Sequence, residues 1–327
     1  MRIGDICSSN PPSVAAIGFF DGVHRGHRFL IGQVRGEAVR RGLASAVVTF
    51  PVHPRKVLQA DFCPRLLTTP QEKLALLAEA GLDLCFLPDF TPHLAALSAR
   101  EFMEVLRGRY NIRVLVIGYD HRFGHNRAEG FGDYVRYGGE LGMEVLPAEA
   151  YRLPSLPDGR PVSSSLVRQL LADEGDVSLA ADCLGYRYFL EGTVVGGRGI
   201  GHRLGFPTAN LQVGNPDKLV PANGVYAVQV DFGGRRRGGM LNIGVRPTLD
   251  NGDDRSIEVH VFDYDGDAYG LPMRLTFVQR MRGEQKFASL DELKQQLVQD
   301  EAAVRQTLQA EDSFPAIPWC NSGYPVV

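Results

Sequence analysis

Histidines at 24 and 27, set among glycines at 18, 22 and 26, are the residues of this 327-residue chain that most directly suggest phosphate chemistry. Imidazole N–H groups donate to phosphate oxygens, and two histidines three apart project from one side of a helix's first turn. Gly26 has no Cβ, so a ligand can lie against the backbone there, where unpaired N–H groups and the helix dipole favour an anion. The whole stretch reads Ile17-Gly18-Phe19-Phe20-Asp21-Gly22-Val23-His24-Arg25-Gly26-His27. A triphosphate suits it. An ordinary polar turn suits it equally well, since His-x-Gly-His has no established metal-ligand spacing, and the stretch alone does not decide between the two.

The elements that must position these histidines are a strand and a helix. Val14 to Gly18 reads as a buried strand and the segment from about Gly26 to Arg41 as the helix after it. The alternation continues. Ala44 to Phe50 is a β-branched run ended by Pro51, Thr69-Pro70-Gln71-Glu72 opens a helix with a capping box, and Leu84 to Leu87 is a short strand. Ser98-Ala99-Arg100-Glu101 opens another helix, and Val114 to Gly118 is the next strand. This predicts a doubly wound, Rossmann-like α/β domain with a parallel sheet, whose ligands gather at the carboxyl ends of the strands.

Three polar clusters fall at such ends: the opening stretch, His53 with Pro54, and Asp120-His121-Arg122-Phe123-Gly124-His125-Asn126-Arg127. In the last, Asp120, Arg122 and Asn126 offer charge and directional hydrogen bonding, and three such loops favour one shared pocket. A fourth segment, Ser163-Ser164-Ser165 with Arg168, leads serines into a helix. Such serines bind anions or simply cap the helix.

Charge and cysteine content narrow the function classes. A formal net charge of -3 provides no global attraction to nucleic acid or anionic membrane, so phosphate binding must be local. Five cysteines (Cys7, Cys63, Cys85, Cys183, Cys320) form no Cys-x-x-Cys pair and leave one over, which argues against a zinc site and a disulfide framework. The first residues lack a basic region followed by an apolar core, and no apolar run is long enough for a bilayer. A cytoplasmic protein with no membrane partner is expected.

From about Tyr186 the composition changes to short β-rich segments and glycine-rich turns, after a connecting helix from Gly175-Asp176 to Leu184. The boundary is placed near Gly185, giving domains 1–184 and 185–327. Gly224 to Val230, Ile257 to Phe262 and Met273 to Val278 predict an antiparallel barrel, and Ser289-Leu290-Asp291-Glu292 opens a long final helix with Leu293, Leu297, Val304 and Leu308 on one face. Within it, Thr208 and Asn210 of Gly205-Phe206-Pro207-Thr208-Ala209-Asn210 are hard oxygen ligands two residues apart, able in an extended segment to face Mg²⁺ and nucleotide phosphates together. Gly192, Gly196, Gly197, Gly199 and Gly201 upstream make a loop that suits phosphate, or plain barrel turns. Glu258 reads either as a general base beside a hydroxyl nucleophile or as the solvated face of an alternating strand.

These motifs, in this order, resemble the bacterial bifunctional riboflavin kinase/FAD synthetases. Gly18 through His27, Thr49-Phe50 with His53-Pro54, Gly118 through Gly124, and Ser163 to Ser165 with Arg168 are similar to the adenylyltransferase module. Gly192 through Leu211, Gly224-Val225-Tyr226, Asn242-Ile243-Gly244 with Arg246-Pro247-Thr248, Ile257 to His260, and Arg282-Gly283-Glu284 with Phe287 are similar to the riboflavin kinase module. The chain departs from the usual residues at Pro51-Val52, His121, Ser165, Leu166 and His202.

The resemblance implies a nucleotidyltransferase domain followed by a six-stranded antiparallel barrel and a long helix. It implies Glu258 as catalytic base and Thr208 and Asn210 on the metal–ATP complex, with Gly201, Gly205, Pro207, Asn242 and Arg282 around the substrates. In the first half it implies His24, His27, Ser164 and Arg168 at the transferred phosphates, with Gly18, Phe19, Asp21, Gly26, His53, Asp120, Arg122, Asn126, Ser163 and Ser165 binding nucleotide and flavin. The expected substrates are riboflavin, FMN and ATP with Mg²⁺, and flavin-requiring apoproteins are the expected recipients of the product. The alternatives are a kinase whose first module is impaired or regulatory, suggested by the departures, and a flavin sensor without turnover.

Overall fold

The computed structural model describes residues 1–4, 10–59, 61–118, 122–125, 127–154, 156, 159–197, 201, 204–245 and 255–310. Asp120 and Asn126 among the expected ligands, together with His121, His202, residues 246–248 and the tail beyond 310, lie outside the described residues. Two compact units divide the chain, one built on Met1–Ser164 and one on the residues from Ser165.

The first unit is a six-stranded sheet, β1 (Arg2–Gly4), β2 (Ser13–Ile17), β3 (Ala44–Val48), β4 (Leu84–Phe86), β5 (Ile112–Gly118) and β6 (Glu144–Ala148). Its strand order is β1-β4-β3-β2-β5-β6 and every pairing is parallel. The helices are α1 (Arg25–Arg41), α2 (Pro54–Leu58), α3 (Pro70–Glu79), α4 (Pro92–Ala96), α5 (Ala99–Arg109) and α6 (Phe131–Leu141). All five residues of β2 are buried, as a strand covered on both faces requires. The chain passes from β2 to β3 on one side and returns to β5 on the other. That reversal is a topological switch point, the place outside the carboxyl ends of the strands where sheets of this kind bind their ligands. Helix starts follow the expected chemistry, with capping boxes at Thr69–Glu72 and Ser98–Glu101. Strands β2 and β3 end slightly earlier than expected, leaving Gly18 and Thr49–Phe50 in the segments that follow them.

The second unit opens with α7 (Ser164–Gln169), which continues into a π turn over Leu170–Glu174, followed by α8 (Val177–Leu184) capped by Asp176. Its six barrel strands are β7 (Phe189–Val195), β8 (Ala209–Val213), β9 (Gly224–Phe232), β10 (Arg235–Val245), β11 (Arg255–Val261) and β12 (Pro272–Arg282). They close in the order β10-β11-β8-β7-β12-β9, antiparallel throughout. The β9–β10 hairpin turns on Gly233 and Gly234, both left-handed (φ 56° and 71°), the two-residue geometry that suits strand twist. The final helix, Leu290–Gln309, starts at Ser289 and lays Leu297, Val304 and Leu308 against Phe206, Val225, Met240 and Phe262. Leu293, expected on the same face, is half-buried.

Candidate active sites

In the first unit the turn after β2 is built before the helix begins. Phe20 and Val23 take positive φ (53° and 37°), with Gly22 between them at 80°. This left-handed backbone is strained for a branched side chain and needs external support. Asp21 provides it. Its carboxylate is buried and accepts from the Leu67 N–H at 3.0 Å, the Thr68 N–H at 3.0 Å and the Thr68 hydroxyl at 3.1 Å, while Thr68 Oγ1 accepts from Gly22 N–H at 3.0 Å.

His24 caps α1, its Nδ1 accepting the His27 N–H at 3.3 Å. That bond makes Nδ1 an acceptor and leaves the imidazole hydrogen on Nε2, a donor suited to a phosphate oxygen. The two imidazoles stack, with centroids 3.6 Å apart and planes 18° apart, and Phe20 meets His27 edge-on at 5.1 Å. A Cβ at Gly26 would sit 3.0 Å from the Val162 carbonyl and 3.1 Å from the His24 ring, so glycine permits the close approach of these segments. Ser164 Oγ donates to the Asp21 carbonyl at 2.9 Å, which brings the serine segment to the histidine turn.

Phe19 and His53 lie at the ends of β2 and β3, with rings 4.7 Å apart and edge-on, and His53 caps α2. Beyond β5, Arg122 is half-buried, and Phe123 stacks on Tyr134 at 4.3 Å. Gly124 (φ 92°) presses against the backbone of Ala99, where a Cβ would lie 2.7 Å from its nitrogen. Ser163 and Ser165 are exposed and Arg168 is half-buried. Ser165 and Arg168 fall in the second unit by chain position, on the helix that Ser164 starts. Leu166, at a usually basic position, is buried.

The barrel site is a cross-strand row. Glu258 on β11 lies opposite Asn210 on β8 and Asn242 on β10, so the three side chains share one face of three adjacent strands. Thr208 Oγ1 donates to Glu258 Oε2 over 3.4 Å. Asn210 is buried beneath Gly197, whose missing Cβ leaves room for the Asn210 amide. Gly205 turns in the left-handed region (φ 86°), and the Gly201 carbonyl accepts from the Phe206 N–H at 2.8 Å.

One residue beside this barrel row is not signalled by spacing. His260 lies 2.8 Å through Nδ1 from the Pro207 carbonyl and edge-on to Phe206, holding the segment that presents Thr208. Arg282 is engaged with Asp300 of the final helix, donating through Nε and Nη2 at 2.7 to 3.1 Å. In the first unit the unsignalled residue is Lys73, whose ammonium donates to the carbonyls of Phe19 and Phe50. Its pattern in the sequence is that of any lysine on an amphipathic helix.

Among the described residues no group of three or more His, Cys, Asp or Glu could hold a metal. Thr208, Asn210 and Glu258 instead form a sparse oxygen donor set. Such a set fits a hard cation that takes its remaining ligands from phosphates and water.

Known proteins resemble both units. The FAD synthetase family model matches residues 7–165 and the riboflavin kinase family model residues 184–308. The bifunctional riboflavin kinase/FMN adenylyltransferase of Escherichia coli (strain K12) is 38% identical over 295 residues, covering 90% of this chain and 92% of its own. The protein of that name from Bacillus subtilis (strain 168) is 35% identical over 298 residues, covering 88% of this chain and 90% of its own. A crystal structure named as a macrolide-efflux protein from Streptococcus pneumoniae matches with a TM-score of 0.80 and 30% identity, over 92% of this chain and 96% of that one. Among the described residues no helix is long and apolar enough to cross a membrane.

Proposed function

The chain belongs to the bifunctional riboflavin kinase/FMN adenylyltransferase family, and on that premise we propose how its residues divide the two reactions. It phosphorylates riboflavin with ATP to FMN, then adenylylates FMN with a second ATP to FAD and pyrophosphate. The observation that carries the assignment is the tandem match, with the Glu258 row inside one family's span and the histidine turn inside the other's.

In the barrel, Glu258 accepts the proton of the riboflavin 5′-hydroxyl as that oxygen bonds to the γ-phosphorus of ATP and ADP leaves. Thr208 and Asn210 orient the phosphates from the same face, and Asn242 extends the polar row. Mg²⁺ is the ion assigned here, and when bound beside Thr208 and Asn210 it neutralises phosphate charge. Gly201, Gly205 and Pro207 shape the loop that covers the nucleotide, and Arg282 positions β12 through Asp300.

In the α/β unit an FMN phosphate oxygen attacks the α-phosphorus of ATP and pyrophosphate leaves. His24 and His27 donate to the phosphates and Ser164 ties the serine segment to their turn, while a phosphate role for Arg168 rests on the resemblance to the adenylyltransferase module alone. Asp21 holds the turn, while Gly18, Phe19, Gly26, His53, Arg122, Ser163 and Ser165 line the substrates. The functional border is assigned near Gly185, with adenylyl transfer in 1–184 and phosphorylation in 185–327. The enzyme is assigned to the cytoplasm, where flavin-requiring apoproteins take up its products.

The test is to incubate the purified chain with riboflavin, ATP and Mg²⁺ and to separate the flavins. FMN and FAD are both expected. His27→Ala should stop FAD formation and leave FMN formation intact, and Glu258→Ala should stop riboflavin phosphorylation yet still adenylylate supplied FMN. Loss of both activities in either variant would refute the division of labour.

A further inference from the structure

Lys73, in the first turn of α3, is 2% exposed. Its ammonium donates to two carbonyls from different loops, to Phe50 after β3 at 2.7 Å and to Phe19 after β2 at 3.1 Å. The Thr49 hydroxyl donates to the same Phe19 carbonyl at 3.1 Å. Nζ also lies 4.0 Å from the centroid of the Phe19 ring, the ring that His53 meets edge-on. One cation therefore ties together the backbone leading into the histidine turn and the loop that carries His53.

Holding a charge there is costly. Burial lowers the lysine from its ordinary 10.5 to about 8, against the opposing pull of the Asp21 carboxylate. Asp21 faces it from the strained turn with its carboxylate bonded to Leu67 and Thr68, and Cys85 faces it from β4 with a thiol that burial pushes up to about 12. Glu72, the neighbouring carboxylate on α3, is engaged in the capping box with Thr69. A well-packed apolar side chain would fill this position without the desolvation cost.

We propose that Lys73 is a positioning residue for adenylyl transfer, its ammonium pinning the Phe19 and Phe50 carbonyls so that the His24–His27 turn and the His53 turn keep one geometry at the strand ends. The inference rests on the assignment of adenylyl transfer to this unit. The neutral amine keeps two N–H donors but loses the charge assistance and the attraction to the Phe19 ring, so the pin weakens as pH rises through about 8.

The experiment uses full-length enzyme and follows FAD formation from supplied FMN and FMN formation from riboflavin, at intervals spanning pH 8 by about 1.5 units each way. Wild type should lose FAD-forming kcat on the alkaline side, with riboflavin phosphorylation measured in the same samples as the control. Lys73→Met should lower that kcat roughly ten- to a hundredfold, show no alkaline limb of its own, and phosphorylate riboflavin at the normal rate. FAD formation within about twofold of wild type in the variant, against the roughly tenfold minimum that misplacement entails, would overturn the proposal. So would a wild-type profile level across pH 8, which decides the matter even if the variant fails to fold. His27→Ala, run in parallel, separates the premise from the inference: persisting FAD formation there refutes the site assignment and not the lysine.

Discussion

Glu258 is half-buried on the polar face of β11, opposite Asn210 and Asn242, and the register of three strands keeps those groups together. The local alternating pattern placed Asn210 and Glu258 on strand faces but left the role of Glu258 open between a base and a solvated face, and Thr208, just ahead of β8, was singled out by its oxygen and its spacing from Asn210. Lys73 and His260 were not legible, because their partners are the carbonyls of Phe19, Phe50 and Pro207, fixed by tertiary approach. The departures at Pro51-Val52 and Leu166 similarly say little alone: Leu166 proves to be buried. At this scale Gly197 makes the sharpest prediction. An alanine Cβ there would overlap the Asn210 amide, which is buried and has little room to yield. Gly197→Ala should therefore reduce riboflavin phosphorylation by roughly tenfold or more and leave adenylylation of supplied FMN unchanged, as flavin chromatography will measure.

Elements were legible where chain chemistry is local. Thr69 and Ser98 announce α3 and α5 through capping boxes, and both boxes form. Strands β1 and β6 were not announced. The first is only three residues long, and the second carries Pro147, which a sheet tolerates at its edge, where β6 lies. The start of α3 matters beyond its own stability because it is one turn from Lys73. Thr69 Oγ1 accepts the Glu72 N–H at 3.2 Å and the Thr69 carbonyl accepts the Lys73 N–H at 2.9 Å. Thr69→Ala removes the first bond and keeps the second. It should lower stability by about 1 kcal/mol, read as a reduced urea midpoint by circular dichroism, without changing the rate of riboflavin phosphorylation.

For the whole molecule, the buried titratable groups make stability depend on pH in a way that single contacts do not suggest. Lys73 releases its proton in the fold near pH 8, whereas the unfolded chain holds it up to the ordinary 10.5. Between those values the unfolded state binds more protons, so unfolding becomes harder as pH rises. Cys85 has the opposite sign. The fold keeps its thiol protonated to about 12 while the unfolded thiol ionises from 9, so stability falls with pH across that window. Tyr226, pushed up to about 12 by burial from its ordinary 10, adds to the fall. Lys73 thus acts against little opposition between pH 8 and 9, where its release should strengthen the fold by about 1 kcal/mol. Urea unfolding at the two pH values should show that gain in wild type and not in Lys73→Met, and the gain should reverse at higher pH as Cys85 and Tyr226 titrate. The adenylyl-transfer rate should fall over the same interval in which the fold gains stability. A fold that only needed packing would move both quantities together, so their divergence would identify the charge on Lys73 as maintained for the site.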